Sequence, residues 1–179
     1  NKGSITSKTS NNEPITKETN IVNVYYYPET DPRKEVSEEN ITDLYLHNKE
    51  YTYSIDKAVL AYDEEVYYES YVFEDVLEDV LEVPSSIIIK NEAGIVVTDW
   101  FDVKTEGQRI TATLKEPKKS IFYGHTYTYE ITTKVKKDAD LSKYKQGTQY
   151  IIPNEATFIV DNNVRFKTNK REVYILFLK

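Results

Sequence analysis

Apolar and polar residues alternate with a period of two along most of this chain. Tyr51, Tyr53 and Ile55 fall on one side of an extended segment, while Thr52, Ser54 and Asp56 fall on the other. Ile110, Ala112 and Leu114 alternate with Thr111 and Thr113, and Tyr127, Tyr129, Ile131 and Thr133 alternate with Thr126, Thr128, Glu130 and Thr132. Such alternation predicts strands with one buried face. Ser86–Lys90 and Ile95–Val103 predict two further strands, joined by a hairpin turn at Asn91-Glu92-Ala93-Gly94. One segment departs from the period. Phe73, Val76, Leu77, Val80 and Leu81 follow helical spacing, which predicts a short helix over Glu74–Leu81, and Asp138–Tyr144 suggests another helical turn. Regularly spaced strands with little helix predict an all-β fold, an immunoglobulin-like β-sandwich with one or two short helices.

The first 20 residues are rich in Ser, Thr, Asn, Lys and Glu, lack an apolar period, and read as loop or linker. Ile21–Tyr27 then reads as a strand closed by Pro28 and Pro32. Asn11-Asn12 leading to Val22-Asn23-Val24-Tyr25 echoes Asn162-Asn163 leading to Glu172-Val173-Tyr174-Ile175. Coincidence between two Asn-rich turns would explain the echo. A tandem array would explain it too, with residues 1–27 forming a linker and the last strand of a preceding repeat and residues 28–179 forming the main domain.

Composition narrows the function. The chain has 179 residues, 39% hydrophobic and 30% charged, enough for a single core. Its 16 Tyr against 6 Phe and 1 Trp suit half-buried strands with wet hydroxyls. A net charge of −7 without a basic stripe argues against nucleic-acid binding. Without cysteine there is no disulfide, thiolate nucleophile or Cys-ligated zinc. The chain also lacks methionine, even at position 1, which suggests that it starts inside a longer protein or after processing. No apolar run is long enough to span a membrane.

Most motifs carry no chemistry. His47 and His125 lack metal-ligand spacing, and neither a Gly-rich phosphate loop nor a Gly-x-Ser-x-Gly elbow is present. No cofactor is expected. Asp63-Glu64-Glu65 and Asp138-Ala139-Asp140 could contribute oxygens to calcium, although solvated loops are the preferred reading. Asn40-Ile41-Thr42 matches a glycosylation acceptor incidentally. Tyr25-Tyr26-Tyr27 reads as an edge or inter-domain strand, with a ligand surface as the alternative.

A set of segments carries a family resemblance by their order. They are Lys34-Glu35-Val36, Glu50-Tyr51-Thr52-Tyr53-Ser54-Ile55, Tyr71-Val72-Phe73-Glu74-Asp75-Val76-Leu77 and Val97-Thr98-Asp99-Trp100-Phe101-Asp102-Val103. Phe122–Tyr127, Asp138–Tyr144 and Ile152-Pro153-Asn154-Glu155-Ala156 follow. From about residue 32 to residue 175 this order resembles the isopeptide-forming domains of Gram-positive surface adhesins and fimbrial proteins, including the C-terminal stalk domains of antigen I/II-type adhesins. The resemblance implies a covalent bond between Lys34 and Asn154, assisted by Asp75. It further implies a structural stalk domain on the bacterial cell wall, catalytic only in the single event of its own cross-linking. Glu74 and Asp79 compete with Asp75 for the acid's role, and Lys57 and Asn169 are rival partners. Neighbouring domains of the same surface protein are the expected partners. A binding module for a host glycoprotein or glycan receptor is the alternative function.

The three groups suit the reaction. Burial lowers an ammonium's pKa and frees its lone pair. A carboxylic acid kept protonated by the same dry surroundings can hydrogen-bond the amide oxygen and pass protons to departing ammonia. Folding holds the reactants together.

Overall fold

A computed structural model describes residues 3–8, 11, 13–19, 31–62 and 67–177, without the side chains of residues 8 and 44. The expected strand Ile21–Tyr27 with its Tyr run and the Asp63-Glu64-Glu65 cluster lie outside the described residues. Fifteen strands are described. They are β1 (Ser4–Lys8), β2 (Pro14–Glu18), β3 (Arg33–Val36), β4 (Asn40–Thr42), β5 (Tyr51–Ala58), β6 (Tyr71–Val76), β7 (Ser86–Asn91) and β8 (Phe101–Glu106). The remainder are β9 (Arg109–Leu114), β10 (Thr126–Thr133), β11 (Lys145–Gln146), β12 (Gln149–Asn154), β13 (Ala156–Val160), β14 (Val164–Lys167) and β15 (Arg171–Leu176).

Three sheets enclose the core. Their orders are β3-β5-β10-β7, β11-β12-β15-β4 and β14-β13-β6-β9-β8. All pairings are antiparallel except that of β15 with β4. The period-two segments place their apolar sets as expected. Tyr51, Tyr53 and Ile55 on β5 face inward beside Tyr127, Tyr129 and Ile131 on β10. Across the interior, Phe73 of β6 stacks on Tyr129 with ring centroids 4.5 Å apart, and Phe158 of β13 meets Tyr129 edge-on at 5.2 Å. Such offset and edge contacts add to the burial that drives sheet packing.

The tyrosines go deeper than the composition suggests. Tyr51, Tyr53, Tyr68, Tyr71, Tyr127 and Tyr129 are all fully buried, rings and hydroxyls together. Desolvation raises the hydroxyl pKa of Tyr51, Tyr53, Tyr127 and Tyr129, so each stays neutral in the core.

Several expectations are corrected. No α-helix spans Glu74–Leu81: β6 runs through Val76, with Tyr71, Phe73 and Asp75 inward, and the chain then turns. Leu77, Val80 and Leu81 are buried by that turn, which is pinned when Leu81 bridges to Val135 and Gln108 Nε2 donates to the Leu81 carbonyl at 3.0 Å. A single 3-10 turn at Ser142–Tyr144 occupies the second helical candidate. Ile95–Val103 is not one strand. Asn91 Oδ1 caps the turn by accepting from the amides of Ala93 and Ile95, and Gly94 supplies the positive φ of 77° it needs. The chain then crosses through a 3-10 turn at Thr98–Trp100, and β8 begins at Phe101 in the opposite sheet. Within residues 1–20, read as linker, β1 and β2 form a separate two-stranded sheet.

Candidate functional site

Lys34, Asp75 and Asn154 come from three different sheet positions and converge inside the sandwich. Lys34 lies on β3, the edge of the first sheet, directly across from Ile55. Asp75 lies on β6, in one rung with Ile110 of β9 and Ala156 of β13, both buried. Asn154 ends β12. Glu155 alone separates it from β13, so the amide sits at the corner where the chain leaves one sheet for another. The relative exposures of the three are 0%, 0% and 4%.

The carboxyl of Asp75 links the other two. Lys34 Nζ donates to Oδ2 at 2.5 Å, and Asn154 Nδ2 donates to Oδ1 at 2.9 Å. Lys34 Nζ also lies 4.6 Å from the centroid of the Tyr53 ring. Burial opposes charge on both ionisable groups. Desolvation pulls the Lys34 pKa down against the attraction of Asp75, and it pushes the Asp75 pKa up against the same attraction and the Asn154 hydrogen bond. Both shifts favour a neutral amine beside a neutral acid. One expected contact differs: the Asn154 amide presents its nitrogen, not its oxygen, to Asp75. Asn154 Oδ1 is buried and accepts no hydrogen bond among the described residues. Rotating the amide by half a turn would place that oxygen against a protonated Asp75 and satisfy it.

The neutral pair and the ion pair hold the same number of protons, so this pair leaves stability flat around neutral pH. Lys34→Met breaks that balance. Asp75 then stands alone with a folded-state pKa above its unfolded one. Its stabilising protonation is complete below the ordinary carboxylate range and is lost as pH rises through the raised value. The urea midpoint of Lys34→Met is therefore expected to fall from pH 4 to pH 8, more steeply than that of Asn154→Ala, which keeps both members of the pair.

The rival residues have other tasks. Glu74 faces the other side of β6 and pairs with Arg109. Asp79 is exposed, 2.9 Å from Lys143 and accepting from the Tyr144 hydroxyl at 2.9 Å. Lys57 is buried, donates to the Ala58 carbonyl at 3.0 Å and lies 4.8 Å from the Phe166 ring centroid.

Asn169 holds the backbone of Lys34. Its Oδ1 accepts from the Lys34 amide at 2.8 Å and its Nδ2 donates to the Lys34 carbonyl at 2.9 Å, as a neighbouring strand would. Arg171 Nε reaches the same carbonyl at 2.9 Å, and its guanidinium pairs with Glu35. The free edge of β3 is thereby fastened to the start of β15. Only the Asn type of residue 169 hinted at this, since backbone clamping leaves no periodic signature. Asn169→Ala removes both hydrogen bonds and is expected to cost about 1–3 kcal/mol in urea unfolding.

Neither histidine joins the site, and His125 Nδ1 lies 2.7 Å from Glu92 at the surface. Among the described residues no group of three or more His, Asp or Glu could hold a metal ion. Asp140, one of the calcium candidates, instead accepts at 2.9 Å from the amide of Ser142, the first residue of the 3-10 turn. No described helix is long and apolar enough to cross a membrane.

No family model matches the chain. Platelet adherence protein A of Streptococcus gordonii is 29% identical over 167 residues, which cover 91% of this chain and 4% of that protein. The chain thus spans a small part of the length of this relative. Among solved structures, the N-terminal domain of the Streptococcus gordonii adhesin Sgo0707 superposes with a TM-score of 0.66 at 17% identity, covering 82% of this chain and 32% of that one. The major pilin subunit BcpA of Bacillus cereus gives 0.59 at 20% identity, over 97% and 48%. The C-terminal domain of the Streptococcus agalactiae antigen I/II polypeptide BspA gives 0.58 at 17%, over 83% and 50%. The chain has the immunoglobulin-like sandwich fold of Gram-positive adhesin and pilin domains.

Proposed function

We propose that this chain is a structural stalk domain of a Gram-positive surface protein, locked by an isopeptide bond between Lys34 Nζ and Asn154 Cγ that Asp75 catalyses. The observation that carries this reading is the burial of a lysine, an aspartate and an asparagine in one hydrogen-bonded line. Burying polar groups in an apolar interior is costly, and replacing such a pair with apolar residues is often neutral or stabilising. A chemical role explains their retention. The adhesin and pilin domains that share the fold support a place outside the cell, joined to further domains and anchored to the wall.

The neutral Lys34 amine attacks Asn154 Cγ, forming the C–N bond and a tetrahedral centre. Asp75 donates its proton at the amide and takes one from Nζ, so that Nδ2 leaves as ammonia and the acid is regenerated. One amide replaces another, with no oxidant or cofactor required. Nδ2 already lies on the carboxyl that would protonate it. Asn154 also lines a surface groove of about 450 Å³, with Glu74, Glu78, Glu155 and Lys170 around it, which gives ammonia an exit.

Intact mass decides the matter. The folded protein is expected to weigh one ammonia less than its sequence, and Asp75→Ala to weigh the full amount. A parent protein of full mass would refute the cross-link.

A further inference from the structure

The rung beside Asn154 has a counterpart at the other end of the chain. Ala156 N donates to Thr168 Oγ1 at 2.9 Å, and Thr168 N donates to the Ala156 carbonyl at 2.9 Å. Gly3 N donates to Thr19 Oγ1 at 2.9 Å, and Thr19 N donates to the Gly3 carbonyl at 2.9 Å. Both rungs close an antiparallel hairpin in the same register. Thr157 pairs with Lys167 and Phe158 with Phe166 in one, while Ser4 pairs with Glu18 and Ile5 with Lys17 in the other. A Cβ added at Gly3 would meet Thr19 at 3.4 Å or more, so the alanine of the second rung fits the first.

This match sets residues of known burial against exposed ones. Ile5 occupies the place of Phe158, which is fully buried, yet Ile5 is 68% exposed. Ile15 lies on the same face of its hairpin and is 44% exposed. The outer edge of β13 pairs with β6, the strand that carries Asp75, whereas β1 pairs with β2 alone among the described residues. A two-stranded hairpin with a bare apolar face is marginal in water and calls for a covering layer. In sequence, Asn1 stands two residues before Gly3 as Asn154 stands two before Ala156, and Asn20 follows Thr19 as Asn169 follows Thr168.

We infer that β1 and β2 are the closing hairpin of an upstream module of this same architecture, and that Asn1 is the amide partner of that module's own lysine. The inference rests on the cross-linking chemistry proposed above. The upstream module would supply a strand bearing a carboxylic acid along the free edge of β1 and a buried lysine. That lysine's amine would replace the Asn1 side-chain nitrogen, which leaves as ammonia.

Two measurements test this. Deleting residues 1–20 from the chain is expected to leave its urea midpoint unchanged; a clear fall would assign the hairpin to the present sandwich and overturn the inference. In a tryptic digest of the full-length surface protein, the peptide containing Asn1 is expected to be joined to a lysine peptide from before Asn1, one ammonia lighter than the sum. Asn1 in an unlinked peptide, while Lys34 and Asn154 are joined, overturns this inference alone. If both sites are unlinked, the proposed function falls with it.

Discussion

Asp75→Ala is expected to fold without its cross-link and to melt well below the parent. Two losses combine. The proposed bond closes a loop of about 120 residues, for which the loop-entropy model gives about 4–5 kcal/mol of stabilisation. The substitution also strands Lys34 in the core without the carboxylate it bonds at 2.5 Å, and breaking a buried pair from one side costs about 3–5 kcal/mol. The two are not additive, because Lys34 can shed its proton. Even the smaller loss corresponds to a fall in Tm of roughly 6–20 °C for a domain of this size. Asn154→Ala separates the terms, since it prevents the cross-link and keeps the Lys34–Asp75 pair. Its Tm should lie between those of the parent and Asp75→Ala. Equal Tm values for all three proteins would show that no covalent bond contributes to stability.

Pulling the protein from its ends should yield the second large effect. Residues 34 and 154 bracket most of the sandwich, and force entering near β3 and leaving near β15 would pass through the proposed bond. The 120 residues between them should stay folded or slack, contributing no length. Asp75→Ala should release that segment, adding roughly 400 Å of contour at about 3.3–3.6 Å per residue. Single-molecule force spectroscopy reads this directly. A parent protein that extends as far as the variant would exclude a load-bearing cross-link.

Much of the sandwich was readable because its strands obey a simple rule. β5 and β10 each place apolar residues at alternate positions, and the structure buries those positions. The reading failed at β6 for an instructive reason. Asp75 occupies an inward position, so a polar residue interrupts the period of two just where the chemistry lies. Set aside as polar, it left Phe73, Val76 and Leu77 to imitate a helix. Lys34 and Asn154 break the pattern of their own strands in the same way, and a site built from buried polar groups hides from hydrophobic periodicity. These residues were reached through their resemblance to a known order of segments. That order could not reveal Asn169 as a clamp, because a side chain that bonds backbone is indifferent to the residue whose backbone it holds. The β1–β2 hairpin escaped for want of apolar residues, since Ile5 and Ile15 are too few to mark a period.

The clamp on β3 also sets an order of events in synthesis. Lys34 is made early, but its strand is fastened on one edge only by β5 until Asn169 and Arg171 arrive. Those residues lie beyond Asn154 in the chain, so the proposed reaction waits for a segment that contains neither reactant. A nascent or truncated chain ending before residue 169 would carry lysine, acid and amide and still lack the fastening that aligns them. Sealing would then serve as a proofreading step, rewarding only a domain whose last strand has been made.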